Sequence, residues 1–176
     1  MAKTYTNIAS FTAGQILTAA QMNEIGTTLN NNTVPPTCRA QRSADETGYT
    51  TDKTILWNAP DAWDTDGMHD PSTNAERITF QTPGIYAVTF GVNIAYTGSP
   101  SYLDGRILGP SAVVLAEDYR AVTGSSYAAF VCAVVDSATY AYVYADAHCG
   151  GATTATLKGT STAVVYFSAT WIGNKE

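Results

Sequence analysis

The densest group of side chains able to do chemistry lies at 61–70, which reads Asp-Ala-Trp-Asp-Thr-Asp-Gly-Met-His-Asp. Its carboxylates, Asp61, Asp64, Asp66 and Asp70, are the hard oxygen ligands that calcium prefers. The spacing does not fit an EF-hand, because glycine falls at the fourth position from Asp64 rather than the sixth. We expect a solvated turn in which the aspartates cap backbone amides, and calcium at these four residues is the alternative.

The other reactive side chains do not form a recognisable catalytic or metal site. His148 and Cys149 offer two soft ligands, whereas a structural zinc site needs four at a defined spacing. The sequence contains no Gly-x-Ser-x-Gly elbow and no phosphate-binding glycine motif. We therefore predict no catalytic residues, no metal and no cofactor, and we expect that the protein is not an enzyme.

The three cysteines, Cys38, Cys132 and Cys149, are an odd number and lie far apart. The first residues lack the apolar core of an export signal, so we expect reduced thiols. Cys132 is predicted to be a small buried hydrophobic residue. A Cys132–Cys149 bridge is left open, because both residues lie near predicted strands.

The amino-acid composition and net charge argue against several classes of protein. The 176 residues are about one domain, and 45% of them are hydrophobic while only 14% are charged. The net charge of -6 and the lack of a basic stripe argue against nucleic-acid binding. No apolar run approaches the ~20 residues needed to cross a bilayer, so no membrane insertion is expected.

A short helix is predicted at about residues 18–29, within an N-terminal arm formed by residues 1–36. Thr18 is a good N-cap, and Gln21 three residues later completes a capping box. The run Asn30–Asn32 is expected to stop the helix, and the proline pair that follows to keep the chain extended.

The helix is too short to be stable alone in water, so its apolar side needs a surface to dock on. The sequence leaves open whether that surface belongs to the protein's own β domain or to another protein. The predicted anchoring residues are Phe11, Leu17, Met22, Ile25 and Leu29.

Residues 37–176 are predicted to form a second, all-β domain. Strand-like runs alternate with Gly, Pro, Asp and Ser turns about every ten residues, which favours an antiparallel sandwich or barrel. Asp104-Gly105 is predicted to be a hairpin turn. The predicted strands are 54–58, 77–80, 85–96, 127–135, 139–147 and 162–172.

Two strands carry apolar side chains on both of their alternating faces, which predicts a covering partner. One contains Phe130, Cys132 and Val134, and the other carries a ladder of tyrosines. A subunit or ligand interface is predicted on at least one of these faces, and packing of the tyrosines into the protein's own core is the alternative. The predicted trimer-interface residues are Phe130, Cys132, Val134, Tyr140, Tyr142 and Tyr144.

The stretch 77–90, Arg-Ile-Thr-Phe-Gln-Thr-Pro-Gly-Ile-Tyr-Ala-Val-Thr-Phe, resembles the "F-x-x-P-G-x-Y-x-F" hairpin of complement globular heads and tumour necrosis factor-like ligands. Ile55-Leu56-Trp57-Asn58 resembles the early apolar strand of that superfamily. The resemblance covers roughly residues 37–173. It implies a ten-stranded jelly roll and a homotrimer with aromatic residues near its axis.

The N-terminal arm resembles a second group of proteins. Residues 11–23, Phe-Thr-Ala-Gly-Gln-Ile-Leu-Thr-Ala-Ala-Gln-Met-Asn, are similar to the opening of many tailed-phage structural proteins. There, such a stretch precedes a β-rich appendage domain. The loop 64–70 is also similar to one found ahead of the Pro-Gly hairpin in such phage domains.

Together these features predict a non-enzymatic virion protein of a tailed phage, assembled in the bacterial cytoplasm and exposed on the virion surface. The arm would bind a capsid or tail protein, and the jelly roll would be a capsid decoration, minor tail or fibre-tip module. The alternative is an adhesion head of a tail fibre or tail tip that binds a host receptor or surface glycan. Aromatic side chains suit both roles.

Overall fold

The computed structural model describes residues 14, 16–49, 51–121, 126–159 and 165–174. Within them a single α-helix, α1 (Ala19–Thr33), is followed by ten strands, which form an antiparallel sheet system, and a short 3-10 helix (Pro110–Ala112) lies between β6 and β7. The strands are β1 (Thr37–Gln41), β2 (Glu46–Thr47), β3 (Lys53–Thr54), β4 (Ala59–Asp64), β5 (Arg77–Thr79), β6 (Ile85–Gly109), β7 (Val113–Arg120), β8 (Ser126–Asp136), β9 (Tyr142–Leu157) and β10 (Tyr166–Gly173).

Helix α1 begins with the predicted capping box. The Thr18 amide donates to Gln21 Oε1 at 2.9 Å, and the Gln21 amide donates to Thr18 Oγ1 at 3.3 Å. The predicted end near residue 29 is wrong, because the helix continues to Thr33 through the three asparagines. Asparagine is only mildly unfavourable inside a helix, whereas Pro35 biases the preceding residue away from helical geometry.

The strands form two layers because β6 belongs to both. Its first half, through residue 95, pairs with β8 on one side, and residues 85–91 pair with β10 on the other. Its second half, from residue 102, pairs with β7 and β9, and the pairing with β9 also extends back to residues 94–98. We call β8–β6–β10–β1–β4 the first sheet, and the second half of β6 with β7, β9, β5, β3 and β2 the second sheet. This antiparallel sandwich is the jelly roll that the sequence predicts.

The predicted hairpin at Asp104-Gly105 is wrong. Both residues lie in the middle of the second half of β6, and the chain bends instead at Gly98–Ser101, where the pairing with β9 shifts register. Gly105 serves packing rather than turning, because an added Cβ would lie 3.2 Å from the ring of Phe90 and 3.2 Å from Val92, so these side chains would have to move. An Asp-Gly pair therefore marks close contact between the layers here.

The predicted strand at 54–58 is also largely wrong, since β3 ends at Thr54. Apolar residues of the stretch 54–58 nevertheless lie in the core between the two layers. The Trp57 ring stacks on Phe167 at 5.7 Å between centroids and meets Phe90 edge-on at 6.0 Å. All three rings are fully buried, so this aromatic trio joins the loop to both β6 and β10.

The described residues contain no helix that is both long enough and apolar enough to cross a membrane.

Candidate functional site

One outward face of the first sheet is apolar and uncovered. In β8 the side chains of Tyr127, Val131 and Val135 are buried, while the alternating residues face outward. Phe130 is 59% exposed and Val134 is 71% exposed. A strand with one wet face normally carries polar side chains there, so this strip needs a covering surface.

An aromatic and cationic row crosses the same face. The Phe130 ring lies 6.4 Å from that of Tyr166 on β10. Arg39 on β1 lies over the Tyr166 ring at 4.0 Å and over the Trp63 ring on β4 at 5.5 Å, which are cation–π distances. Phe130 and Trp63 are each about half exposed. We call this surface the assembly face: Phe130, Cys132, Val134, Tyr166, Arg39 and Trp63.

Cys132 corrects one prediction, because it lies exposed on the assembly face rather than in the core. Cys38 and Cys149 are buried, and all three cysteines are free. Burial raises the pKa of the Cys149 thiol to about 11, and burial together with Asp64 and Asp61 raises that of Cys38 further. The two buried thiols are therefore neutral at physiological pH.

The predicted interface residues do not form one surface. Val143 and Ala145 point into the core, so the neighbouring tyrosines lie on the outward face of the second sheet. Tyr140 packs partly against the core, over Gly109. The tyrosine ladder and the β8 strip therefore lie on opposite sides of the sandwich, and a single flat interface cannot contain both.

Two tyrosines of the ladder, Tyr142 and Tyr144, line a groove on the second sheet. Arg77 lies over the Tyr142 ring at 4.8 Å. Ser111 and Ala112 close one end with left-handed backbone, at φ 61° and 59°. The groove has a volume of about 430 Å³, and we call it the tyrosine groove. Its walls are Thr54, Glu76, Arg77, Ser111, Ala112, Tyr142 and Tyr144.

The acidic stretch 61–70 uses its carboxylates within the fold. Asp64 accepts backbone hydrogen bonds from Asp66 at 3.1 Å and from His69 at 2.9 Å, and Asp70 accepts one from Ser72 at 2.8 Å. Asp61 contacts the His69 ring at 2.7 Å. Asp64 and Asp70 thus cap backbone amides as predicted, but the loop is less solvated than expected, since Asp66 and His69 are buried.

Asp61 and Asp64 also lie close to the buried thiol of Cys38. One ligand atom from each of the three lies within 4.8 Å of the other two. Burial raises the pKa of Asp61, and the neighbouring His69 offsets this only in part. Asp66 is engaged elsewhere, since Thr82 Oγ1 donates to its carboxylate at 2.7 Å.

A charged cluster that the sequence analysis did not predict lies on the outward side of the second sheet. Arg106 Nη2 lies 2.6 Å from Asp52 and 3.2 Å from Asp146, and its Nε lies 3.5 Å from Asp104. His148 Nδ1 lies 3.0 Å from Asp52 Oδ1. We call these five residues the acidic cluster.

Two members of the acidic cluster, Asp104 and Asp146, are almost fully buried. Burial raises the pKa of both carboxyls, and the attraction of Arg106 compensates only in part. The available sequence signal was polar residues two apart, Asp104 with Arg106 and Asp146 with His148, because such pairs share one face of a strand.

The described anchoring residues of the arm are open to solvent. Leu17, Met22 and Leu29 are 36%, 54% and 59% exposed, and Ile25 is half-buried. Phe11 lies outside the described residues. The apolar side of α1 is therefore not covered by the part of the β domain that the structure describes.

Solved structures share this architecture. The globular domain of zebrafish complement 1qA protein superimposes with a TM-score of 0.53 at 18% identity, over 80% of this chain and 98% of that chain. Murine APRIL at pH 5.0 gives a TM-score of 0.58 at 8% identity, over 78% of this chain and 98% of that chain. No family model matches the chain, and no curated protein matches its sequence. The likenesses establish the jelly-roll fold.

Proposed function

We propose that this chain is a non-enzymatic structural protein of a tailed-phage virion, exposed on the particle surface as a trimeric jelly roll and attached through residues 1–36. The observation that carries the proposal is a pair of uncovered apolar surfaces, the assembly face and the outer side of α1. Two such surfaces on one small protein are expected of a protein that binds copies of itself through one surface and a different protein through the other.

The assembly face supports self-association. A closed ring of three subunits lets identical faces meet around one axis, which buries Phe130 and Val134 without leaving an open edge. The shared fold with complement and APRIL heads is compatible with such a ring. Charged residues are scarce along the β8 strip, which is also a property of interface centres.

The arm supports attachment to a second protein. Helix α1 has a well-formed start, yet its apolar residues remain exposed. A helix of this length gains most of its stability from packing, so it requires a partner surface. The resemblance of residues 11–23 to openings of phage structural proteins favours a capsid or tail protein as that partner.

The test uses particles that lack the protein. Deletion of residues 1–34 is expected to leave the melting temperature and self-association of the β domain nearly unchanged but to abolish incorporation. Ile25→Asp is expected to weaken incorporation by placing an unpaired charge in the docking face. Glu24→Gln, on the same exposed helix, is the control. Normal binding of the truncated protein would contradict the anchoring role.

The tyrosine groove supports a second candidate function, an adhesion head that binds a host glycan or receptor. Tyrosine faces stack on sugar rings, and Arg77 and Glu76 supply polar groups beside them. Consecutive left-handed residues other than glycine, as at Ser111 and Ala112, are also concentrated at functional sites.

This candidate is tested by binding to host cells and to a panel of surface glycans. Tyr142→Ala is expected to reduce binding at least tenfold, and Tyr119→Ala, an exposed tyrosine on β7 outside the groove, is the control. Equal binding by both variants would exclude the tyrosine groove as the binding site for the glycan or receptor.

A further inference from the structure

Three potential metal ligands converge at the exposed end of the acidic cluster. Asp52, Asp104 and His148 each place one ligand atom within 4.8 Å of the other two. The separation of 3.0 Å between His148 Nδ1 and Asp52 Oδ1 is close to that of adjacent ligands around one ion with bonds of about 2.1 Å. The loop before β3, strand β6 and strand β9 thus each supply one ligand.

The cluster has an unbalanced charge and an unsatisfied buried oxygen. Three carboxylates, on Asp52, Asp104 and Asp146, face one guanidinium, that of Arg106. Asp104 is 4% exposed, and its Oδ1 receives no hydrogen bond from the described residues and lies 3.5 Å from Arg106 Nε. Asp146 Oδ1 is likewise buried without a hydrogen bond. A divalent cation beside Asp104 would offset the excess negative charge and give this buried oxygen a partner.

We propose that Asp52, Asp104 and His148 bind a divalent transition-metal ion of the zinc class. An imidazole nitrogen with two carboxylate oxygens suits Zn²⁺ or Co²⁺ better than Ca²⁺, which takes oxygen ligands alone. Asp52 is the solvent-accessible ligand, because its side chain is 58% exposed, and in the proposed site it exchanges its contact with Arg106 for the ion. Arg106 keeps Asp146 as its partner.

Tyr102 supports the geometry from the side. Its ring meets the imidazole edge-on at 4.8 Å, and its hydroxyl lies 3.1 Å from His148 Nδ1, a contact that the bound ion would replace. Tyr119 stacks on the other side of Tyr102 at 5.1 Å. These rings limit the orientations of His148, which lowers the entropy lost when it binds an ion.

The test is calorimetric titration of the full chain, first treated with a chelator, with Zn²⁺ alone. We expect saturable binding of one ion per chain and a rise in melting temperature with added Zn²⁺. Asp52→Asn and His148→Gln are each expected to raise the Kd at least about tenfold. Asp70→Asn, an exposed carboxylate of the acidic stretch, is the control and is expected to leave the Kd unchanged. Asp52→Asn is expected to fold normally because its side chain is exposed, and circular dichroism without metal checks both variants.

Co²⁺ absorption distinguishes this site from the group around Cys38. The proposed ligands contain no sulfur, so bound Co²⁺ is expected to show visible bands without a thiolate charge-transfer band. The proposal is overturned by a thiolate band, by the absence of saturable binding, or by an unchanged Kd in both variants. Any of these outcomes would leave the cluster as an ion-pair network.

Discussion

Gly84 lies directly under the indole of Trp171, at the start of β6. A Cβ at this position would lie 2.1 Å from Trp171 Nε1, and the backbone has a φ of +146° that other residues rarely adopt. The same indole donates to the Pro83 carbonyl at 3.2 Å. The Pro-Gly pair of the hairpin is thus explained by the approach of the last strand.

Gly84→Ala is expected to destabilise the protein by about 2 kcal/mol or more, through steric overlap and backbone strain. That corresponds to a fall in Tm of about 4–8 °C for a protein of this size. Gly173→Ala is the matched control, because an added Cβ there meets nothing within 4 Å, and its Tm should stay unchanged. Equal shifts in both variants would refute the packing explanation.

The ionisation of the Glu46 carboxyl makes the free energy of unfolding depend on pH. Partial burial raises its pKa, but hydrogen bonds from Lys53 and Arg42 outweigh burial and hold the pKa below its ordinary value. Arg42 Nη2 lies 2.6 Å from Glu46, and its side chain is only 4% exposed. Loss of the carboxylate would therefore leave a buried guanidinium with one partner fewer.

Glu46→Gln is expected to lower the free energy of unfolding by about 1–3 kcal/mol at pH 7. A depressed folded-state pKa adds stability above the unfolded-state pKa of about 4.3, and that stability is lost as pH falls through the folded value. The difference between wild type and variant should therefore shrink below about pH 4. Denaturant titrations across pH measure it, with the exposed Glu24→Gln as control. A constant difference at all pH values would contradict the ion-pair explanation.

Among the elements, α1 is stabilised locally rather than by the sandwich. Gly26 lies in its interior, and an added Cβ there meets nothing within 4 Å. Gly26→Ala should therefore stabilise the helix by about 0.5–1 kcal/mol. Thr18→Ala, which removes the cap, should destabilise it by about 1 kcal/mol.

Hydrogen exchange of the helix amides is the measurement, because the described sandwich does not cover Met22 and Leu29, so melting of the β domain does not report on the helix. Slower exchange is expected for Gly26→Ala and faster exchange for Thr18→Ala. If both changes instead shift the melting of the β domain, α1 is part of its core.

Sequence periodicity predicted those elements whose burial alternates cleanly. Strand β8 alternates residue by residue, so its extent and its uncovered face could be predicted. Strand β7 is exposed at most positions and has no clear alternation, and it was missed. The acidic cluster required the register of β6 against β9, which pairs Asp104 with His148 and Arg106 with Asp146. The spacing of residues within each strand does not determine that register, so the cluster could not be predicted from the sequence.

For the molecule as a whole, the assembly face predicts a specific oligomer. Val134→Asp is expected to reduce the mass in light scattering from three times the 18.6 kDa chain to one chain, without loss of folding. Val114→Asp is the control, since Val114 is also exposed but lies on β7 of the second sheet. A monomeric wild type at micromolar concentration, or dissociation by Val114→Asp alone, would contradict an assembly through the first sheet.

The pairing of β1 with β10 places the first strand's start and the last strand's end at the same end of the sandwich. The Trp171 amide donates to the Pro36 carbonyl at 2.8 Å, so the chain enters the sandwich beside the end of its last strand. Tyr86 pairs with Trp171, and the bend at Gly98–Ser101 begins about 40 Å from Tyr86 along β6, at about 3.3 Å per residue. An arm anchored as proposed would therefore hold the start of β1 and the end of β10 near the particle and point this bend outward. Short foreign peptides for display would then belong at Gly98–Ser101, because an insertion beside the start of β1 or the end of β10 would compete with docking.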